Sequence, residues 1–252
     1  QKYPFVNYID EDNFEHIKNS YINLEDSNAR AVWALGMVIS LKDYLPEYIT
    51  DKAIICFIDS LPWVKNILSP RAIGFAIKGL YLYYSFTKQH DIIYIIEKLA
   101  NNLISNYDIT ETKNWKWFEN YLTYANSVLP EAMLYAYLVT GKLKYKRVAI
   151  DSFNFLLSKL FIKNQFKVIS NNGWFHKGIE SNIYGEQPID VSYTIQTLEL
   201  FYNTTKDVKY KNFQKKAFNW FLGENHLNQT MYNPITGGCY DGLEKTHVNL
   251  NQ

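Results

Sequence analysis

The residues of this sequence best suited to chemistry are carboxylates placed beside aromatic rings. Glu119 sits in the run Trp115-Lys116-Trp117-Phe118-Glu119. A carboxyl held against indole and phenyl rings is desolvated, which favours its protonated form. Such a group can protonate a leaving oxygen when a second carboxylate activates water or attacks directly. Asp26, Glu186, Asp190 and Asp241 compete for that second part. Asp26 precedes an expected helix and reads equally well as its N-cap. Glu186 and Asp190 flank Pro188 at the head of another helix, where the dipole favours an ionised base over an acid. Asp241 lies in a tail with Gly237, Gly238 and Gly242, where the backbone can approach a ligand or simply turn. Glu119 reads also as a loop carboxylate that pairs with a Lys or caps the next helix.

Other residues could hold a ligand. Arg30 and Arg71 are two of three Arg residues in a chain rich in Lys, and both stand near expected helix starts. Planar two-pronged donation suits a substrate carboxylate or phosphate, or an internal Asp, and the internal pair is favoured. Trp117, Tyr124 and Trp174 offer flat faces for stacking; Trp117 and Trp174 fall in expected loops, where packing explains an indole less readily. Asn126 and Gln187 stand in polar clusters that open two helices, whereas Trp33 at helical spacing reads as core. His176, His226 and His247 are scattered without an HExxH spacing, so neither a metal nor an organic cofactor is implied. Cys56 is expected in the core. Cys239 is expected to be exposed but lacks an evident His partner, which disfavours a thiol nucleophile.

Composition removes several classes of function. The 252 residues carry 26 Lys plus Arg against 25 Asp plus Glu, a net charge of +1. That balance disfavours an electrostatic nucleic-acid binder. No apolar run is long enough for a membrane-spanning helix, and a hydrophobic share of 47% supports a sizeable core. Two cysteines cannot form a disulfide framework. No secretory leader is visible, so a cytoplasmic location is expected. Aromatics reach 17%, with 21 Tyr. This fits an aromatic-lined cleft, or equally a base-composition bias that raises Tyr, Phe, Ile, Asn and Lys together.

The elements that must position these residues are helices. Periodicity predicts helices over about 27–42, 47–66, 70–87, 91–107, 125–140, 143–162, 188–202 and 207–222, with Pro70 and Pro188 suited to first turns and Gly141 to a stop. A further helix near 14–19 is possible on the same pattern. Long loops cover 108–123 and 163–187, the second with a short hairpin expected around Asn171-Asn172-Gly173. Odd-numbered helices are rich in small and aromatic residues and open on polar clusters; even-numbered ones carry Lys on one face. The turns Thr140-Gly141-Lys142-Leu143-Lys144-Tyr145 and Thr204-Thr205-Lys206-Asp207-Val208-Lys209-Tyr210 match. This is a loosely repeated helical hairpin with buried inner and solvated outer helices. The uneven long loops favour a closed α/α toroid over an open solenoid, formed as a single domain over 1–252.

The segments 26–36, 69–72, 117–130, 241–244 and 249–252 resemble the six-hairpin glycosidase-like superfamily, the (α/α)6 toroids. More narrowly they resemble bacterial and archaeal proteins of that class found alone or joined to glycosyltransferases. The resemblance implies an all-α fold and a carbohydrate ligand. It implies a glycoside hydrolase with paired carboxylates, with two alternatives: a sugar epimerase or isomerase using His, or a non-catalytic glycan-binding domain linked to a glycosyltransferase system. Two departures stand out. Eight helices fall short of the twelve in a full ring, so either the ring is incomplete or residues are missing at the C-terminal end. Ala125 occupies a position where relatives often place an acid, which removes a catalytic role there.

Overall fold

The computed structural model describes residues 3–163 and 165–251. Among them the chain is built from helices: α1 (Glu25–Ser40), α2 (Glu47–Val64), α3 (Pro70–Thr87), α4 (His90–Thr110), α5 (Val128–Thr140), α6 (Leu143–Leu160), α7 (Pro188–Thr205) and α8 (Val208–Phe221). Six two-residue strands form three antiparallel pairs: β1 (Tyr121–Leu122) with β4 (Phe175–His176), β2 (Phe161–Ile162) with β3 (Gln165–Phe166), and β5 (Gly242–Leu243) with β6 (Val248–Asn249). The residues group into two compact units, one of 1–105 with 132–147 and one of 106–131 with 148–252.

Helix ends follow local chemistry. Pro70 and Pro188 each open a helix in the first turn, where a missing N–H costs nothing. Lys88 and Lys206 end α3 and α7 in the left-handed conformation, and their amides bond to the carbonyls of Tyr84 and Tyr202. Asp207 caps α8 by accepting the Lys209 amide at 3.0 Å. Helix α1 starts at Glu25 rather than at Ser27. The Asn23 side chain takes the Glu25 amide at 2.9 Å, and the Ser27 hydroxyl donates to the Leu24 carbonyl instead. Asp26 is therefore inside the first turn and is not the cap. The region 14–19 forms only a 3-10 turn at Ile17–Ser20.

In the first unit α3 is buried along most of its length, from Arg71 to Leu80. It packs on α1 through two glycines. A Cβ on Gly36 would lie 2.5 Å from the Gly79 carbonyl oxygen, and one on Gly79 would lie 2.6 Å from that of Val32. The heads of the two helices are joined as well, because the Glu25 carboxylate accepts the amides of Leu68 and Ser69 at 3.2 and 2.7 Å. Helix α2 is one-sided: Ala53, Phe57 and Ser60 face inward, while Ile55, Cys56 and Ile58 are exposed. Cys56 is thus a surface residue and not core; the apolar run around it conceals a 3.6-residue period.

In the second unit α7 is buried through Val191, Thr194, Thr197, Leu198 and Phe201. Its partner α8 buries only Tyr210, Ala217 and Trp220, with Lys209, Lys211 and Lys215 on the open side. This is the expected alternation of inner and outer helices. Phe153 bridges α6 to this hairpin, with ring centroids 4.3 Å from Phe201 and 5.8 Å from Tyr210. The hairpin expected at Asn171–Gly173 is only a turn. It leads into β4, which pairs with β1 some fifty residues earlier.

Candidate functional site

The two long loops of the second unit are zipped together by β1 and β4, in the register Tyr121 with His176 and Leu122 with Phe175. Lys177 reinforces the join: its amide reaches the Asn120 carbonyl and its ammonium the Thr110 carbonyl, each at 2.8 Å. Glu119 lies just before β1, half-buried, and its main-chain carbonyl accepts the Trp115 indole at 2.7 Å. Trp117 is fully buried, edge-on to Phe118 at 5.4 Å and tilted against Phe155 at 6.2 Å. As placed, its indole faces other rings and not solvent, unlike the open stacking surface expected of it.

Tyr124 and Trp174 come from the two different loops and meet with ring centroids 6.4 Å apart, both half-buried. Each adjoins backbone in an uncommon conformation: Trp174 itself has φ 56°, and Ala125 after Tyr124 has φ 48°. Left-handed backbone at bulky or buried non-glycine residues persists only when its surroundings enforce it. Here the enforcing groups are visible. Asn126 folds its amide back onto Thr123, accepting the Thr123 N–H at 2.9 Å and donating to its carbonyl at 2.6 Å. Asp190, buried in the first turn of α7, accepts the Ala125 N–H. Asn126 and Asp190 therefore hold the turn that presents Tyr124.

A cavity of about 350 Å³ opens at the head of α7, lined by Gln187, Pro188, Ile189, Cys239, Tyr240 and Asp241. The backbone explains why these segments meet. Glu186 and Leu243 exchange both main-chain hydrogen bonds, at 3.0 and 2.9 Å, so the C-terminal hairpin β5–β6 is strapped to the residue before Gln187. Asp241 is exposed, and its carboxylate accepts the Asn249 side-chain amide at 3.2 Å. Partial desolvation and then the Asp241 charge push the Cys239 thiol up, which keeps it protonated and unreactive.

Glu186 does not line this cavity. Its carboxyl is 1% exposed and turned to Trp220, whose indole donates to Oε2 at 2.9 Å. Burial pushes this carboxyl up, opposed by Lys167, the Trp220 hydrogen bond, His226 and the Val168 main-chain N–H. The residue is thus part of the wall behind the cavity. Nothing in the sequence announced that set, because Lys167, Glu186, Trp220 and His226 come from four separate segments.

In the first unit Asp26 and Arg30 pair within α1, with Nε to Oδ2 at 2.7 Å and both side chains 30% exposed. The guanidinium also lies 4.2 Å above the Phe75 ring, and Phe75 stacks on Trp33. The favoured internal pairing of Arg30 is what forms. Arg71 is buried in the first turn of α3. Among the described residues no group of three His, Cys, Asp or Glu converges as a metal site, and no helix is long and apolar enough to cross a membrane.

No family model and no curated protein matches the sequence. Solved structures do match. An unsaturated glucuronyl hydrolase from Streptococcus agalactiae superposes with a TM-score of 0.60 at 17% identity, over 80% of this chain and 55% of its own. The chain has the α/α-toroid fold. A GH76 α-mannanase from Bacteroides thetaiotaomicron gives 0.61 at 16% identity, over 86% of this chain and 64% of its own. A D-mannose isomerase gives 0.61 at 13%, over 87% and 65%. This chain spans between half and two thirds of the length of these structures.

Proposed function

We propose that this chain acts on carbohydrate as a glycoside hydrolase, with sugar held at the head of α7. The observation that carries the reading is the cavity there, because it combines a carboxylate, Asp241, a side-chain amide, Gln187, and a phenol ring, Tyr240. Carboxylates and amides match sugar hydroxyls, and ring faces match the C–H faces of a pyranose. The volume lies at the lower end of the range for small-molecule clefts. Two of the structures sharing the fold are a glucuronyl hydrolase and a mannanase, which supports the reading by analogy of fold. In this reading Asp241 is the carboxylate at the sugar, and the acid role is assigned to Glu119, which lies outside the cavity lining and must reach a glycan that extends beyond it. Asp190 is better placed as a support, since it already accepts the Ala125 amide. Trp174 and Tyr124 supply stacking faces.

A second reading, a glycan-binding domain without catalysis, is favoured by one observation: a single carboxylate lines the cavity, whereas hydrolysis requires two. One experiment separates them. Reducing-sugar release is screened over a glycan panel with the unaltered chain, Glu119→Gln and Asp241→Asn. Hydrolysis predicts release that falls at least about a hundredfold in Glu119→Gln. Release unchanged in that variant removes Glu119 from its role. Binding without release from any glycan selects the second reading.

A further inference from the structure

We infer that Glu186 and His226 share one proton, and that this proton fastens the C-terminal hairpin behind the cavity wall, making the site pH-sensitive. The argument begins with the tautomer of His226. Its Nε2 lies 2.8 Å from the Glu244 carbonyl oxygen. A carbonyl can only accept, so Nε2 carries a hydrogen. In a neutral ring Nδ1 is then a bare lone pair, and it lies 3.3 Å from Glu186 Oε1. Both atoms are buried and neither has an aligned hydrogen-bond partner. Two lone pairs facing each other out of water repel. One proton between them turns the repulsion into a charge-assisted contact, whichever atom formally holds it.

The surrounding groups do not replace that proton. Lys167 Nζ stands 3.6 Å from Oε1, donates to the Ile183 carbonyl and lies over the Tyr184 ring. Tyr184 meets His226 edge-on at 5.1 Å, with Lys245 on its ring. Trp220 occupies the other carboxylate oxygen, Oε2, and the Val168 main-chain N–H, which also faces the carboxyl, opposes its rise without cancelling it. The desolvated carboxyl is pushed up despite Lys167, which is the direction that retains a proton.

The consequence reaches the cavity. His226 grips Glu244 on one side and Glu186 on the other, and Glu186 and Leu243 are joined by the backbone bonds that strap the hairpin. Asp241 lies two residues before Leu243, and Gln187 follows Glu186. Loss of the proton therefore loosens both rims of the cavity together. A folded state that holds more protons than the unfolded one loses stability as pH rises. In the unfolded chain the pair keeps one proton on the imidazole up to the ordinary histidine range at about 6.5, so the loss begins there and continues upward until the shared proton leaves the desolvated folded pair. For its effect on ligand binding the inference rests on the carbohydrate reading; for the latch itself it does not.

The test is amide hydrogen exchange of the full chain without any sugar, corrected for intrinsic rates, at pH 5, 7 and 9. Protection of the Glu186 and Leu243 amides is expected to fall about tenfold or more across the series. Glu186→Gln can still accept from Trp220 and can donate an amide hydrogen to Nδ1 without titrating, so its profile is expected to be flat. His226→Gln, which keeps a donor for the Glu244 carbonyl but removes the imidazole that opposes the raised Glu186 carboxyl, is expected to move the fall in protection to higher pH and serves if the first variant does not fold. A flat profile in the unaltered chain, or the unaltered profile reproduced in both variants, overturns the latch. A pH-dependent latch in a chain that binds no glycan would refute the carbohydrate reading alone.

Discussion

The carboxylate of Asp190, in the first turn of α7, accepts the main-chain N–H of Ala125, a buried residue held at φ 48°. The bond links the head of one inner helix to the turn that starts the preceding one. It also accounts for the delayed start of α5: with Ala125 left-handed, the helix begins only at Val128.

Two substitutions read this relationship with opposite signs. Asp190→Ala leaves a buried amide without its acceptor and is expected to cost about 2 kcal/mol. Ala125→Gly relieves the left-handed backbone and is expected to stabilise by up to about 1 kcal/mol. Urea denaturation of the two variants checks both.

The contact between α1 and α3 depends on the absence of two side chains. Gly36→Ala and Gly79→Ala each drive a methyl into backbone that cannot rotate away. Each is expected to cost roughly 3 kcal/mol, seen as a lowered denaturation midpoint. A change below half a kilocalorie would mean that the helices separate easily.

Trp117 and Trp174 are expected to behave differently although both come from loops. Trp117→Ala removes a fully buried indole and should cost about 3–5 kcal/mol. Trp174→Gly removes a half-buried ring at φ 56° and should change stability by less than about 1 kcal/mol. If Trp174 stacks on sugar, the same change weakens glycan affinity about fivefold. Calorimetry with the glycan selected from the panel measures the two effects separately.

The helical frame was legible because its signals are local. Pro70, Pro188 and the Gly141 turn mark ends that the fold uses, and buried α3 and α7 stand out from Lys-faced α8 by composition. What escaped was set by tertiary contacts. Asn23 and not Ser27 supplies the side chain at the start of α1, since Asp26 and Ser27 are already inside the turn. Cys56 lies in an apolar stretch whose period turns it outward. Trp117 looked like a loop indole free to stack, but Phe118 and Phe155 enclose it. The loop pairing of β1 with β4 and the grouping of Lys167, Glu186, Trp220 and His226 join residues far apart in sequence, which no local pattern encodes. For Glu186 the sequence placed the residue correctly at the head of α7 but not the direction of its carboxyl, which points to Trp220.

The central claim is that sugar is held at the head of α7. The most direct measurement is an NMR titration of the isotope-labelled full chain with the oligosaccharides of the panel. The account predicts saturable shifts centred on Gln187, Tyr240 and Asp241, weakened in Asp241→Asn. A glycan that binds while shifting only residues elsewhere, or a panel that produces no shifts at all, would contradict it.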